Sequence, residues 1–183
     1  MATQLRLPRF VLTLTAALAA ATVTQPLASS AAAGQSPSAT SRAETRHLIL
    51  TTSASAVRAG RAVLNVDVVL KPKMHVYAPD QPKDQDYMPI VLTVASGDGY
   101  KVEKPRYPAS EKFFFAPLKE TQHVYSKPFR ITQPLTLSKT AGGESLTIEG
   151  TVRYQACDDA ICYVPQTVPV RWEIKRAGER ANR

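Results

Sequence analysis

Apolar and polar residues alternate with a period of two along most of this chain. In Arg61–Leu70, Leu64, Val66, Val68 and Leu70 alternate with Val63, Asn65, Asp67 and Val69. In Glu144–Ala156, Leu146, Ile148, Val152 and Tyr154 share one face. In Thr167–Lys175, Val168, Val170, Trp172 and Ile174 face one way while Arg171, Glu173 and Lys175 face the other. Such alternation predicts half-buried antiparallel strands. Shorter candidates are RHLILTT, MHVYA, PIVLTVA, YKVEK and HVYSKPFRI. Pro72, Pro79, Pro82, Pro105, Pro108, Pro117 and Pro128 punctuate the gaps, and no long helical period survives between them. Eight or so short strands with turn signals between them predict an all-β chain, an immunoglobulin-like β-sandwich. No internal repeat is visible.

The first third of the chain has a different pattern. Arg6 and Arg9 precede an uncharged Ala/Leu/Thr/Val run from Phe10 to about Val23, and small residues follow up to an A-x-A boundary at Ala33. This is the pattern of a secretory signal peptide over residues 1–33. The run is short for a bilayer span, so the processed protein is expected to be exported, periplasmic or secreted, with no stable membrane insertion. Residues 34–45, rich in Ser, Ala and Pro, predict a flexible lead-in. The sandwich is expected over 46–176, with a basic tail over 177–183. The formal net charge is +8, and losing Arg6 and Arg9 leaves +6. The basic residues are scattered, without a dense run interleaved with aromatics, which argues against nucleic acid as a partner.

The chain has two cysteines, Cys157 and Cys162, on either side of Asp-Asp-Ala-Ile. In an oxidising compartment two thiols at this spacing are expected as a disulfide. Its commoner role is a staple, but closing a loop of about six residues contributes roughly 2 kcal/mol in the chain-entropy model, against about 4–5 for a hundred. A domain of this size does not depend on so small a brace, and the pair also suits a redox switch. Two cysteines are half of a structural zinc site, and Asp158 and Asp159 do not complete one. Met74, His75, Met88, His123 and the cysteines lack the compact ligand run of a copper site. No metal or other cofactor is expected. The pair is not Cys-x-x-Cys and no βαβ pattern surrounds it, so it is not a thioredoxin active site. The carboxylates between the thiols disfavour the thiolate until a partner supplies opposing charge.

The segment VRYQACDDAICYVPQTVPV, with its Tyr-Gln-x-Cys approach and Cys-Tyr-x-Pro exit through Tyr163, resembles the cysteine segment of the N-terminal periplasmic domain of DsbD, the thiol:disulfide interchange protein. The resemblance runs from about Arg61 to Lys175 and includes KMHVYAP, PRYPASEKFFF and HVYSKPFRI. It implies an immunoglobulin-like domain that serves as a component of a protein-disulfide reductase. Electrons would arrive from a membrane or thioredoxin-like donor and pass to thioredoxin-like acceptors that handle disulfides. By position, Cys162 would be the attacking thiol and Cys157 the resolving one, with Tyr77 beside the pair. Phe113, Phe114 and Phe115 fall where that family carries an aromatic cap over its cysteines. At least one of the three is expected in the core, since alternate residues of a strand face opposite ways. His75 stands where the family would place a tyrosine, and the loop between the cysteines is one residue shorter than in the best-known form. The membrane and thioredoxin-like domains do not accompany this segment, so the donor would be another protein. The rival reading is a non-catalytic exported binding module that keeps the disulfide as a staple.

Overall fold

The computed structural model describes residues 40–82, 87–116, 118–138 and 143–176. The expected signal peptide, residues 34–39 of the lead-in and the tail over 177–183 lie outside them. The described residues contain twelve strands and no helix. In chain order these are β1 (Ser41–Glu44), β2 (Leu48–Ala54), β3 (Arg61–Leu70), β4 (His75–Tyr77), β5 (Val91–Val94) and β6 (Tyr100–Val102). There follow β7 (Glu111–Phe115), β8 (Glu120–Tyr125), β9 (Phe129–Leu137), β10 (Ser145–Tyr154), β11 (Ala156–Cys157) and β12 (Gln166–Lys175). They form an antiparallel immunoglobulin-like sandwich with sheet orders β1-β2-β3-β9-β6, β12-β10-β5 and β11-β4-β8-β7.

The longest alternating segments supply the core. Leu48 and Leu50 of β2, Leu64, Val66 and Val68 of β3 and Ile131 of β9 join Ile148, Val152 and Tyr154 of β10 and the four apolar side chains of β12 in one buried cluster. Trp172 is 1% exposed, and its indole N–H donates to the Asn65 carbonyl at 2.9 Å, so its one polar atom is satisfied inside. The Thr52 hydroxyl donates to the Arg171 carbonyl at 2.7 Å, a second tie between the five- and three-stranded sheets. Gly150 is required where β10 meets β5, because a Cβ there would lie 2.6 Å from the Thr93 carbonyl oxygen and 3.1 Å from the Trp172 ring.

Two expectations are corrected. The lead-in does not run to residue 45 as a free segment, since Ser41–Glu44 pairs with Ile49–Thr52 as β1. Its side chains are mostly exposed, so backbone hydrogen bonds hold it and no hydrophobic pattern announces it. HVYSKPFRI is not one strand either: it ends β8 at Tyr125 and opens β9 at Phe129, in different sheets. Pro128 has no N–H for a ladder and marks the break.

The small four-stranded sheet carries the cysteines. The chain leaves β10 at Tyr154, turns through Gln155 and re-enters as β11 against β4. A turn built on Pro72 delivers β4, with the Met74 N–H donating to the Lys71 carbonyl at 3.1 Å. Lys73 sits there at φ 67°, a left-handed position more often given to glycine or asparagine.

Candidate functional site

Cys157 and Cys162 face each other across a tight hairpin. The Asp158 N–H donates to the Ile161 carbonyl at 2.9 Å, and the Tyr163 N–H donates to the Ala156 carbonyl at 2.8 Å. Between these bonded rungs the two cysteines are bridge partners, their Cα atoms 4.0 Å apart and their sulfurs joined. This is the non-hydrogen-bonded position of an antiparallel pair, where opposing side chains approach most closely. Asp158 shapes the turn: its carboxylate accepts from the N–H groups of Ala160 (2.8 Å) and Ile161 (2.9 Å) and from the Tyr163 hydroxyl (2.7 Å). The Ile161 N–H, then Tyr163 and the Ala160 N–H, draw its pKa down to about 2, so it stays an anion in any ordinary buffer. Part of the negative charge between the cysteines is thus directed into the turn. Asp159, at the tip, is exposed.

The two sulfurs have unequal surroundings. Cys157, on the arm that pairs with β4, is 1% exposed. Cys162, on the returning arm, is exposed between Ile161 (55%) and Val164 (83%). Cys162 is therefore the more accessible cysteine of the pair.

Strand β4 forms one wall. Its His75 is the register partner of Cys157, and Tyr77, two residues on, shares that face. The Tyr77 hydroxyl lies 3.2 Å from Cys162 Sγ; a disulfide sulfur has no hydrogen to give, so the tyrosine donates. Burial, then Tyr87 and Glu120, push the Tyr77 pKa up to about 12, which keeps it a neutral donor. Its ring stacks on Tyr87 at 4.4 Å. The Tyr87 hydroxyl donates to Glu120 and accepts from Gln122 Nε2 at 3.0 Å.

The aromatic triplet divides as a strand must. Phe113 packs on the cluster of Tyr77, Val124 and Cys157, with its ring centroid 4.8 Å from that of His75. Phe115, on the same face, is buried, whereas Phe114 points the other way, 61% exposed, and is not brought to the pair. Tyr163 stands behind the hairpin, its hydroxyl on Asp158 and its ring 4.6 Å from that of the buried His47. Sequence reasoning passed over Tyr87, Gln122 and the site role of His75. Gln122 had a signal, being a polar residue at an inward position of β8. Tyr87 lies outside any strand and had none. Among the described residues no group of three or more His, Cys, Asp or Glu could hold a metal ion. His123, one member of the copper reading, instead lies 3.3 Å from Asp80.

The family model for the N-terminal region of the thiol:disulfide interchange protein DsbD matches residues 46–172. Among solved structures, the N-terminal periplasmic domain of ScsB from Proteus mirabilis is similar to this chain at 14% identity and a TM-score of 0.52, over 74% of this chain and 50% of that one. The chain thus spans half the length of that neighbour. The reduced N-terminal domain of DsbD from Neisseria meningitidis aligns at 21% identity and a TM-score of 0.40, over 69% and 86% of the two chains. None of the curated proteins compared with the chain matches it.

Proposed function

From the premise that this chain belongs to the family of DsbD N-terminal domains, we propose that it is an exported thiol–disulfide exchange domain that relays electrons through Cys157–Cys162. Its donor is a membrane or thioredoxin-like protein, and its acceptors are periplasmic proteins that handle disulfides. The observation that carries this reading is the unequal access of the two sulfurs, Cys162 exposed and Cys157 1% exposed.

In the reduced domain, the Cys162 thiolate attacks an acceptor disulfide. One acceptor sulfur leaves as a thiolate and the other joins Cys162. Cys157 then loses its proton and attacks Cys162 Sγ, which closes the intramolecular bond and releases the acceptor as a dithiol. The cycle transfers two electrons, and the donor restores the dithiol by the reverse exchange. Tyr77 and Phe113 support and cover the buried side of the pair, Phe115 backs Phe113 with its ring 6.5 Å away, and Tyr163 holds the hairpin through Asp158. The Tyr77 hydroxyl, aimed at Cys162 Sγ, is placed to steady the Cys162 thiolate of the reduced domain, the group that attacks the acceptor.

The test is the reduction potential of the pair in glutathione buffers. A potential above about −300 mV is expected, since inert structural disulfides usually lie below that value. A markedly lower one leaves the pair as a staple and the protein as a non-catalytic binding module. Export is tested by the intact mass of the protein recovered from the exported fraction. Cleavage near Ala33 is expected, and a mature species that retains Arg6 and Arg9 would identify an anchor instead.

A further inference from the structure

His75 is 4% exposed, and its Nε2 is enclosed with no hydrogen-bond partner. A buried polar atom left without a partner is costly, and a native one calls for a reason. The register places this atom's residue directly opposite Cys157, on the face shared with Tyr77. In the disulfide, Cys157 Sγ carries no hydrogen and has nothing to offer an acceptor. Once the bond is reduced, the same sulfur becomes a buried thiol that needs an acceptor.

We infer that His75 Nε2 is the acceptor reserved for the Cys157 thiol, a hydrogen bond absent from the oxidised domain and made when the pair is reduced. The inference rests on the reading of Cys157–Cys162 as an exchanging pair. When a donor thiolate attacks Cys162 Sγ, a new intermolecular S–S bond forms and the Cys157–Cys162 bond breaks. Its electron pair stays on Cys157 Sγ, which takes a proton from solvent and directs the resulting S–H at Nε2. The other side chains around Cys157 do not serve as well. Val124 and Phe113 have no acceptor, and the Tyr77 hydroxyl already faces Cys162. Gln122 Oε1 is also enclosed without a partner, but its amide is held on Tyr87. His75 is thus a positioning residue: it sets how readily Cys157 is released and how long it stays a thiol.

To accept through Nε2 the ring must be neutral and carry its hydrogen on Nδ1, the tautomer we assign to it. Burial lowers its pKa, against the smaller opposing pull of Asp159 and Asp158 in the hairpin. The other groups that face it are Tyr77 on its own strand, Cys157 opposite and the uncharged Phe113 on β7. At neutral pH the acceptor is therefore available. The ring therefore gains a proton, and the acceptor is lost, only as the pH falls through a pKa held below the ordinary histidine value.

The experiment equilibrates the full mature chain with glutathione redox buffers from pH 5 to 8, comparing wild type, His75→Phe and His75→Gln. His75→Phe removes the acceptor and is expected to shift the equilibrium about tenfold toward the disulfide at pH 7, about 30 mV. The shift should shrink as the pH is lowered. His75→Gln keeps a carbonyl acceptor that does not titrate, so it should stay close to wild type at pH 7 and keep its equilibrium where wild type loses its own at low pH. The 15N shift of His75 Nε2 in the wild type should also move on reduction, a readout that survives even if His75→Phe does not fold. An unchanged Nε2 shift in a pair that reduces normally overturns the role of His75 and leaves the exchange reading intact. A pair that glutathione cannot reduce overturns both.

Discussion

The Cys157→Ala protein is expected to form a mixed disulfide through Cys162 at least about tenfold faster than Cys162→Ala forms one through Cys157, because exchange rate follows access and thiolate fraction. Cys162 is exposed, while Cys157 is 1% exposed in a cluster of Tyr77 and Val124 with Phe113 and Tyr87 packed on it. Burial among apolar side chains disfavours a thiolate. Both variants lose the same six-residue closure, worth roughly 2 kcal/mol in the chain-entropy model, so the lost cross-link does not distinguish them. Oxidised glutathione at pH 7 is the probe, and the mixed disulfide is read by intact mass against time. Equal rates, or a faster Cys157, would remove the basis for assigning the attack to Cys162.

The fold was legible where the period-two pattern is long. The alternations of Arg61–Leu70, Glu144–Ala156 and Thr167–Lys175 became β3, β10 and β12, and their inward residues fill the sandwich core. Strands too exposed or too short to show a period were not legible. β1 buries almost nothing, and β11 is two residues long, so neither can show a period. Tertiary pairing creates them: β1 exists because β2 offers an edge, and β11 because β4 does.

The site was legible in its chemistry and less so in its asymmetry. Two cysteines in one short segment announce a bridge, and the flanking motif resembles a known exchange domain. Nothing in CDDAIC says which sulfur is accessible, since the cysteines occupy equivalent positions across the turn. The difference arises because the Cys157 arm pairs with β4 and the Cys162 arm does not. His75 was similarly opaque. A histidine within MHVYA carries no mark of its partner until register sets it opposite Cys157. The acidic pair read as a brake on thiolate formation has a second role in Asp158, whose carboxylate builds the turn that holds the cysteines in line.

Phe113→Ala is expected to speed reduction of the disulfide by a small thiol about tenfold, equivalent to about 1.4 kcal/mol off the barrier. Phe114→Ala should leave the rate unchanged. The triplet alone does not decide between these residues, since three consecutive phenylalanines satisfy either phase of a strand. The register does: Phe113 stands opposite Gln122 and packs on the buried cluster of Tyr77, Val124 and Cys157 and on the His75 ring, while Phe114 is 61% exposed on the other face. Removing the Phe113 ring opens the buried side of the pair to solvent, so the Cys157 thiolate that leaves is better solvated. Phe113 is only partly buried, so the stability cost should fall below the roughly 3–5 kcal/mol of a fully buried Phe→Ala change. The domain should therefore stay folded, and the two rates can be compared by stopped-flow with dithiothreitol while the melting transition of each variant is followed in parallel. If Phe113→Ala instead unfolds the domain, or reduces no faster than Phe114→Ala, then Phe113 is core packing and the pair is covered by something else.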